Sequence, residues 1–130
     1  MVLAAVMEKD GRVLLARRKS SDRFGGLWEF PGGKLEAGET PEGCLKRELA
    51  EEFGVRAEVG RFIGSVDADA EGLSIRLQAY ETVHRTGEFE LREHDEIRWV
   101  RPSELAGFDL TEPDRRLLAR VLKTRREKRP

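Results

Sequence analysis

Short runs of apolar residues along the chain predict strands over most of its length. The first runs, VLAAVM and RVLLARR, flank Asp10-Gly11, a pair that favours a tight turn between antiparallel strands. LWEF predicts a further short strand, which follows the loop-like segment KSSDRFGG. Later segments that alternate partly between apolar and polar residues, as strands do, are RAEVGRFIGSVDAD, LSIRLQAYETV and EIRWVRP.

Helical signals interrupt these strands and suggest a fold class. A helix is predicted from Pro41 to about Phe53, because Thr40 is a good N-cap and Gly54 a natural C-terminal stop. A final amphipathic helix is predicted for PDRRLLARVLKTRR, which repeats leucine and valine on one side. The resulting order of elements lacks the regular alternation of a doubly wound sheet. It predicts an α+β domain, an αβα sandwich with a mixed central β-sheet.

The length of the chain predicts a single domain, and its charge distribution shows a basic C-terminal segment. The chain has 130 residues, 38% charged and 38% hydrophobic, which favours a single folded domain over residues 1–130. Residues 120–130 carry six Lys or Arg and one Glu, a net charge of +5. Since the whole chain has a net charge of −1, the remaining residues carry a net charge of −6. We interpret the tail of about 123–130 as the end of a helix, where cations interact favourably with the negative pole of the helix dipole. Contact with a membrane surface or nucleic acid is the alternative, and no nucleic-acid polymer is expected as a partner.

The N-terminal segment does not read as a targeting signal. MVLAAVM has no basic residues before it, and Glu8, Lys9 and Asp10 follow at once, so it is too short for a signal peptide or a membrane span. We therefore expect a soluble, cytoplasmic protein with no membrane partner. A homodimer is expected because symmetric dimers are the commonest assemblies.

Several residues that often carry chemistry are expected in structural roles. Cys44 is the single cysteine, which excludes an internal disulfide and favours a packing thiol. His84 and His94 lack metal-ligand spacing and are predicted at the surface or at strand ends. Trp28 and Trp99 are predicted in the core or in a pocket wall, with stacking on a base as the alternative.

The first helix concentrates negative charge. Glu48, Glu51 and Glu52 fall within an arc of roughly 100°. Like charges at i and i+4 destabilise a helix, and a divalent cation such as Mg²⁺ or Mn²⁺ offsets that cost because it prefers carboxylate oxygens. Taken alone, a solvated acidic face is the simpler interpretation. A separate packing stripe on the same helix consists of Leu45, Leu49 and Phe53.

The spacing around this face matches a longer pattern. Its fixed positions are Gly33, Glu39, Arg47-Glu48-Leu49, Glu51-Glu52 and Gly54-Val55. Leu49 and Val55 need only be aliphatic, and with average residue usage near 7% the seven other positions match by chance on the order of once in 10⁸ placements. The segment resembles the signature of the Nudix hydrolases, G-x5-E-x7-R-E-U-x-E-E-x-G-U, where U is aliphatic. The preceding LWEFPGGK resembles the MutT-like branch, so the resemblance implies the Nudix fold.

The resemblance implies a metal-dependent hydrolase that cleaves nucleoside diphosphates linked to another group. Glu48, Glu51 and Glu52 are then the ligands of Mg²⁺ or Mn²⁺, and Glu48 is the expected general base. Arg47 is expected to orient these carboxylates, and Glu39 to hold the loop against the helix.

Further metal ligands are expected outside the helix. A carbonyl of Gly32 or Gly33 is expected to complete the coordination, and the absence of side chains there allows phosphate to come close. A distant acidic loop supplies another carboxylate in similar proteins, and ELREHDEIRW offers Glu93, Asp95 and Glu96. Glu93 has the matching position, with a solvated loop as the alternative.

The resemblance also implies residues that bind the nucleotide. Arg18, Glu29 and Phe30 match substrate-contacting positions of MutT-like enzymes, and Lys34 is a candidate phosphate contact. A base-reading residue near the start of the last helix is Asp114 if the following leucines anchor the alignment. It is Thr111 if Pro113 anchors it.

These expectations lead to one main function and several alternatives. The main expectation is cleavage of a nucleoside triphosphate, either a noncanonical species such as 8-oxo-dGTP or a CTP-type nucleotide, to a monophosphate and pyrophosphate. The alternatives are a dinucleoside polyphosphate or nucleotide-sugar hydrolase, and a nucleotide-binding Nudix module without turnover.

Overall fold

A mixed sheet forms the centre of the molecule. The computed structural model describes residues 1–21, 25–70 and 72–127, and within these ranges seven strands join one sheet. The strands are β1 (Val2–Lys9), β2 (Arg12–Arg18), β3 (Trp28–Glu29), β4 (Gly32–Lys34), β5 (Arg56–Ala70), β6 (Leu73–Thr86) and β7 (His94–Val100). The helices are α1 (Pro41–Phe53), a 3-10 helix (Pro102–Gly107) and α2 (Glu112–Glu127). The predicted loop at 19–26 and the predicted basic tail fall partly outside the described residues.

Strand β1 organises the sheet. It pairs in parallel with β6 along residues 2–7, and antiparallel with β4 at residues 2–4 on its other edge. β2 meets β1 only near the hairpin turn, where Glu8 lies opposite Val13, and β2 then pairs with β3 and β7. β5 closes the other side through its antiparallel pairing with β6. A parallel pair among antiparallel ones makes the sheet mixed, which confirms the predicted sheet type.

The helices cover the two faces of the sheet. Because side chains alternate along a strand, Leu3 and Met7 of β1 pack into the cluster under α1, whereas Ala4 and Val6 join the cluster under α2. The α1 cluster includes Leu45, Leu49 and Phe53, and the α2 cluster includes Leu117, Leu118 and Val121. The predicted αβα sandwich is thereby confirmed. In the described part of the chain, no helix combines the length and apolar character needed to cross a membrane.

Local capping fixes both ends of α1 as the sequence predicts. The Thr40 hydroxyl accepts a hydrogen bond from the Gly43 N–H at 3.0 Å, and Pro41 takes the first helical position. At the other end Gly54 is left-handed, with φ 70°, and its N–H donates to the Ala50 carbonyl at 2.9 Å. The left-handed conformation favours glycine, so this stop is set by residue type. Glu48, Glu51 and Glu52 lie between these two caps, in the last two turns of α1.

Candidate active site

A cavity of about 680 Å³ lies beside β1 and β4, near the first residues of α2 and the tip of the β5–β6 hairpin. Most residues predicted for the site line this cavity: Arg18, Glu29, Phe30, Gly32, Gly33, Lys34, Glu48, Glu52 and Asp114. Thr111, the alternative to Asp114, lines it as well. Of the described candidates, Arg47, Glu51 and Glu93 lie outside the lining.

Helix geometry brings Glu48 and Glu52 together against the glycines of β4. The two residues are one turn apart on α1, and the Gly32 N–H donates to the Glu52 carboxylate. A Cβ on Gly33 would lie 2.3 Å from the Glu48 carboxyl carbon, closer than real contacts allow. Gly33 is therefore needed to let the Glu48 carboxylate lie against the strand backbone.

The two carboxyl groups are poorly solvated. Burial, with further contributions from Glu29, Glu48 and Glu93, raises the pKa of Glu52 to about 9. Burial also raises the pKa of Glu48, although the hydrogen bond from Arg47 opposes the shift. The Glu52 Oε2 atom is buried and has no hydrogen-bond partner among the described residues.

These features fit a divalent cation. An ion bound here would satisfy the orphaned Glu52 oxygen and restore the charged form of both carboxylates. In residues 1–21, 25–70 and 72–127, no three acidic, histidine or cysteine side chains are already close enough to form a complete ligand cluster. The protein thus offers a carboxylate pair, to which Glu51, Glu93 and glycine carbonyls would have to be added.

Arg47 connects the loop before α1 to the acidic face. Its guanidinium donates to both oxygens of Glu39, at 2.7 and 2.8 Å, and to Glu48 at 2.8 Å and Glu51 at 3.3 Å. The hydrogen bond from Arg47, with one from the Glu36 N–H, lowers the pKa of Glu39 to about 2. Glu51 is 60% exposed, so its side chain lies on the solvent side of this network.

The three acidic candidates near the start of β7 have different surroundings: Glu93 precedes the strand, whereas Asp95 and Glu96 belong to it. Asp95 and Glu96 form ion pairs with Arg17, at 2.7 and 3.4 Å. Glu93 is exposed, and its charge is among those that raise the pKa of Glu52. Among these acids, Glu93 is therefore the one whose charge reaches the carboxylate pair. Its role as a metal ligand stays a prediction.

The first residues of α2 supply a second buried acid. The Thr111 hydroxyl and the Phe30 N–H both donate to the Asp114 carboxyl group. Burial and the charge of Glu29 raise the pKa of Asp114 to about 7. The two alignment alternatives for the base-reading position are therefore hydrogen-bonded neighbours in one wall of the cavity. Arg18 donates to Glu29 at 2.8 Å beside them.

Sequence reasoning missed part of the site. His94 begins β7, as a strand-end residue would, but it is buried and not at the surface. Its Nε2 atom lies 2.8 Å from Glu29 Oε2. Asp69, Leu73 and Ile75 line the cavity because the long β5–β6 hairpin reaches it. No local signal in the sequence marks these residues, since their place depends on how distant strands pair.

The other structural assignments hold. Cys44 is fully buried, its thiol donates to the Lys34 carbonyl at 3.6 Å, and burial raises its pKa to about 11. Trp28 lies in the core, with the guanidinium groups of Arg17 and Arg98 at 5.7 and 5.5 Å from its ring. Trp99 packs against the α1 cluster. Neither tryptophan lines the described cavity.

We predict that Gly33→Ala lowers kcat/KM about tenfold, because the new methyl group would displace the Glu48 carboxylate from its position. The fold should persist, since Glu48 can swing away from the intruding carbon. Gly107→Ala is the matched control, because a Cβ there meets nothing within 4 Å. Steady-state kinetics and Tm check this, and unchanged kcat/KM in a folded Gly33→Ala protein would contradict it.

Comparisons with known proteins agree with this geometry. The family described as NUDIX domain matches residues 1–121. A CTP pyrophosphohydrolase of Escherichia coli (strain K12) is 38% identical over 117 residues, covering 90% of this chain and 87% of the relative. An 8-oxo-dGTP diphosphatase of Proteus vulgaris is 52% identical over 75 residues, covering 58% of this chain and 67% of the relative.

Solved structures share the fold over nearly the whole chain. The solution structure of the E. coli ORF135 protein has a TM-score of 0.84 at 35% identity, covering 98% of this chain and 91% of that one. The crystal structure of the MutT protein from Methanosarcina mazei Go1 also has a TM-score of 0.84, at 26% identity, covering 98% and 94%. The chain therefore belongs to the Nudix hydrolase family, as a MutT-like pyrophosphohydrolase that acts on phosphoanhydride bonds of nucleotides.

Proposed function

We propose that this protein is a Mg²⁺-dependent nucleoside triphosphate pyrophosphohydrolase that releases a nucleoside monophosphate and pyrophosphate. The observation that carries the proposal is the charge of the cavity. Its described lining includes the carboxyl groups of Glu29, Glu48, Glu52, Asp69, Glu112 and Asp114, against the cations Arg18 and Lys34. The ionised carboxylates among these would repel a polyphosphate, and divalent cations bound between the two would offset that repulsion.

The residues that would hold the metal follow from the site. Glu48, Glu51 and Glu52 are the proposed carboxylate ligands, joined by Glu93 and a carbonyl of Gly32 or Gly33. When bound, Mg²⁺ supplies Lewis-acid polarisation of a phosphoryl oxygen and lowers the pKa of a coordinated water. Mn²⁺ is the expected substitute, since it prefers the same oxygen ligands.

Protein side chains perform the remaining steps. Glu48 is proposed to take the proton from the attacking water, because its carboxyl group lines the cavity beside Glu52. Arg47 holds Glu48 in place at 2.8 Å while it does so. Arg18 and Lys34 are proposed to bind the phosphate chain. Attack by water at phosphorus then needs no covalent intermediate with the enzyme.

The base is proposed to bind at Asp114, with Thr111 and Phe30 beside it. A carboxyl group with a pKa of about 7 can accept a hydrogen bond when ionised or donate one when protonated. That versatility suits an amino-bearing edge such as that of cytosine, or an oxidised purine with an altered donor pattern. The names of the E. coli and Proteus vulgaris relatives, a CTP pyrophosphohydrolase and an 8-oxo-dGTP diphosphatase, support both choices.

A substrate panel tests the proposal. The protein is incubated with Mg²⁺ and CTP, dCTP, dGTP, 8-oxo-dGTP, diadenosine tetraphosphate, UDP-glucose or ADP-ribose, with EDTA as the control. Release of pyrophosphate and a monophosphate from a triphosphate supports it. Preferential cleavage of a dinucleoside or sugar nucleotide would favour that alternative. No turnover, combined with a Tm shift on nucleotide addition, would favour a non-catalytic binding module.

A further inference from the structure

His94 has a place in the site that the metal and base-reading roles do not explain. Its side chain is 3% exposed and stacks on Phe53 of α1, with ring centroids 5.2 Å apart and planes at 10°. Its Nε2 atom lies 2.8 Å from Glu29 Oε2. A carboxylate only accepts hydrogen bonds, so the imidazole donates from Nε2.

Glu29 is held from two sides by residues of different strands. Arg18 of β2 donates to Oε1 at 2.8 Å, and His94 of β7 donates to Oε2 at 2.8 Å. Glu29 belongs to β3, which is only two residues long; β3 pairs with β2 on one side, and Trp28 forms a bridge with Leu110 on the other. These backbone contacts hold the strand but leave the side-chain torsions of Glu29 free, so Arg18 and His94 determine where its carboxylate points.

The position of Glu29 matters to both functional parts of the cavity. It lines the cavity. After burial, its negative charge makes the largest contribution to the raised pKa of Glu52 and to that of Asp114. Glu52 belongs to the proposed metal site and Asp114 to the proposed base site. A displaced Glu29 would therefore alter the electrostatics of both.

The other nitrogen of His94 argues against a purely packing role. Nδ1 is buried and has no hydrogen-bond partner among the described residues. An unsatisfied buried nitrogen costs free energy that a phenylalanine ring at the same position would not. Packing alone would thus favour Phe, and the contact that favours histidine is the one to Glu29.

We propose that His94 is a positioning residue that fixes the Glu29 carboxylate in the wall of the nucleotide cavity. This role rests on the proposed function, because Glu29 is there a nucleotide-binding residue. With Arg18 as its single restraint, Glu29 would rotate about its side-chain torsions. With His94 as well, both oxygens are fixed before the substrate arrives.

Three variants separate hydrogen bonding from packing. His94→Phe keeps the ring stacked on Phe53 and loses the donor, whereas His94→Gln loses the ring and keeps a donor at the Nε2 position. His94→Asn is a shorter amide that does not reach Glu29. We expect KM to rise about tenfold in His94→Phe and His94→Asn, with kcat changed less than threefold, and His94→Gln to restore KM.

The other histidine provides the control. His84 donates through Nε2 to the Gly87 carbonyl at 2.7 Å and does not line the cavity, so His84→Phe should leave KM unchanged. A wild-type KM in folded His94→Phe would overturn the inference. So would equal KM values for His94→Gln and His94→Asn, a comparison that decides the matter if His94→Phe does not fold.

A binding measurement separates this inference from the proposed function. The Kd of a nonhydrolysable α,β-methylene triphosphate, measured by calorimetry, should follow the same order as KM. If the wild-type protein binds this analogue but hydrolyses nothing, the proposed function fails and the order of Kd values still judges His94. If the wild-type protein does not bind it, both fail.

Discussion

Glu52→Gln is expected to lower kcat about 10³-fold, which corresponds to ~4 kcal/mol of transition-state stabilisation. Glu52 is the most deeply buried carboxyl group of the acidic face, and one of its oxygens lacks a partner among the described residues. Loss of a carboxylate ligand at that position removes both charge and geometry from the proposed metal site. Gln keeps the shape, so the protein should remain folded.

The same substitution should stabilise the protein in EDTA. A carboxyl whose pKa rises on folding from 4.5 to about 9 costs stability as pH increases between those values, because the unfolded chain ionises first. The gain from Gln should therefore be small at pH 5 and on the order of 4 kcal/mol at pH 8, since each pH unit above 4.5 costs about 1.4 kcal/mol. Added Mg²⁺ should raise the Tm of the wild-type protein and not that of Glu52→Gln.

Glu42→Gln is the matched control for this experiment. Glu42 lies in the first turn of the same helix, is 57% exposed, and pairs with Lys46 at 3.0 Å. Its substitution should leave kcat and the Mg²⁺-dependent Tm shift unchanged. If Glu52→Gln retained wild-type kcat and the same Mg²⁺ response, Glu52 would not be a metal ligand and the proposed mechanism would fail.

Arg47→Ala is expected to lower kcat/KM about 100-fold. The guanidinium holds Glu39, Glu48 and Glu51 through charge-assisted hydrogen bonds of 2.7 to 3.3 Å. Without it, Glu48 and Glu51 repel each other with no cation of the protein between them. The loop that contains Glu39 also loses its two side-chain hydrogen bonds to Arg47 of α1, so Tm should fall.

Arg47→Lys and Lys46→Ala are the comparison variants for Arg47→Ala. Lys restores one charge but not the bidentate contact with Glu39, so it should recover only part of the activity. Lys46 is the neighbouring cation and makes an exposed pair with Glu42, so Lys46→Ala should have little effect. Wild-type kinetics in Arg47→Ala, measured at saturating Mg²⁺, would show that Arg47 does not orient the carboxylates.

Much of the fold follows from local sequence. The ends of α1 match the predicted ones because Thr40, Pro41 and Gly54 act on the backbone within a few residues. The β1–β2 hairpin follows from Asp10-Gly11, whose positive φ values of 51° and 75° suit a tight turn. The parallel pairing of β1 with β6 is different, because it joins segments about 75 residues apart that no local pattern connects.

In the candidate site, too, local sequence predicts some features and tertiary packing determines the others. The spacing of Glu48 and Glu52 places them on one side of a helix, and together with Gly33, Glu39 and Gly54 it indicates the family. The sequence pattern does not distinguish Glu51 from Glu52, whereas the structure leaves Glu51 60% exposed and half-buries Glu52, with its Oε2 atom inaccessible to solvent. The difference arises because β4 packs against one edge of the acidic face.

The sequence by itself determined the glutamate spacing, the caps of α1 and the amphipathic α2, because helix geometry and capping act within a few residues. Only the tertiary structure decided which carboxyl groups are desolvated and which residues share the cavity. The Glu29–His94 contact spans 65 positions of the chain, and Asp114 meets Phe30 from another element. Such neighbours are set by sheet pairing and core packing, which depend on the whole chain at once.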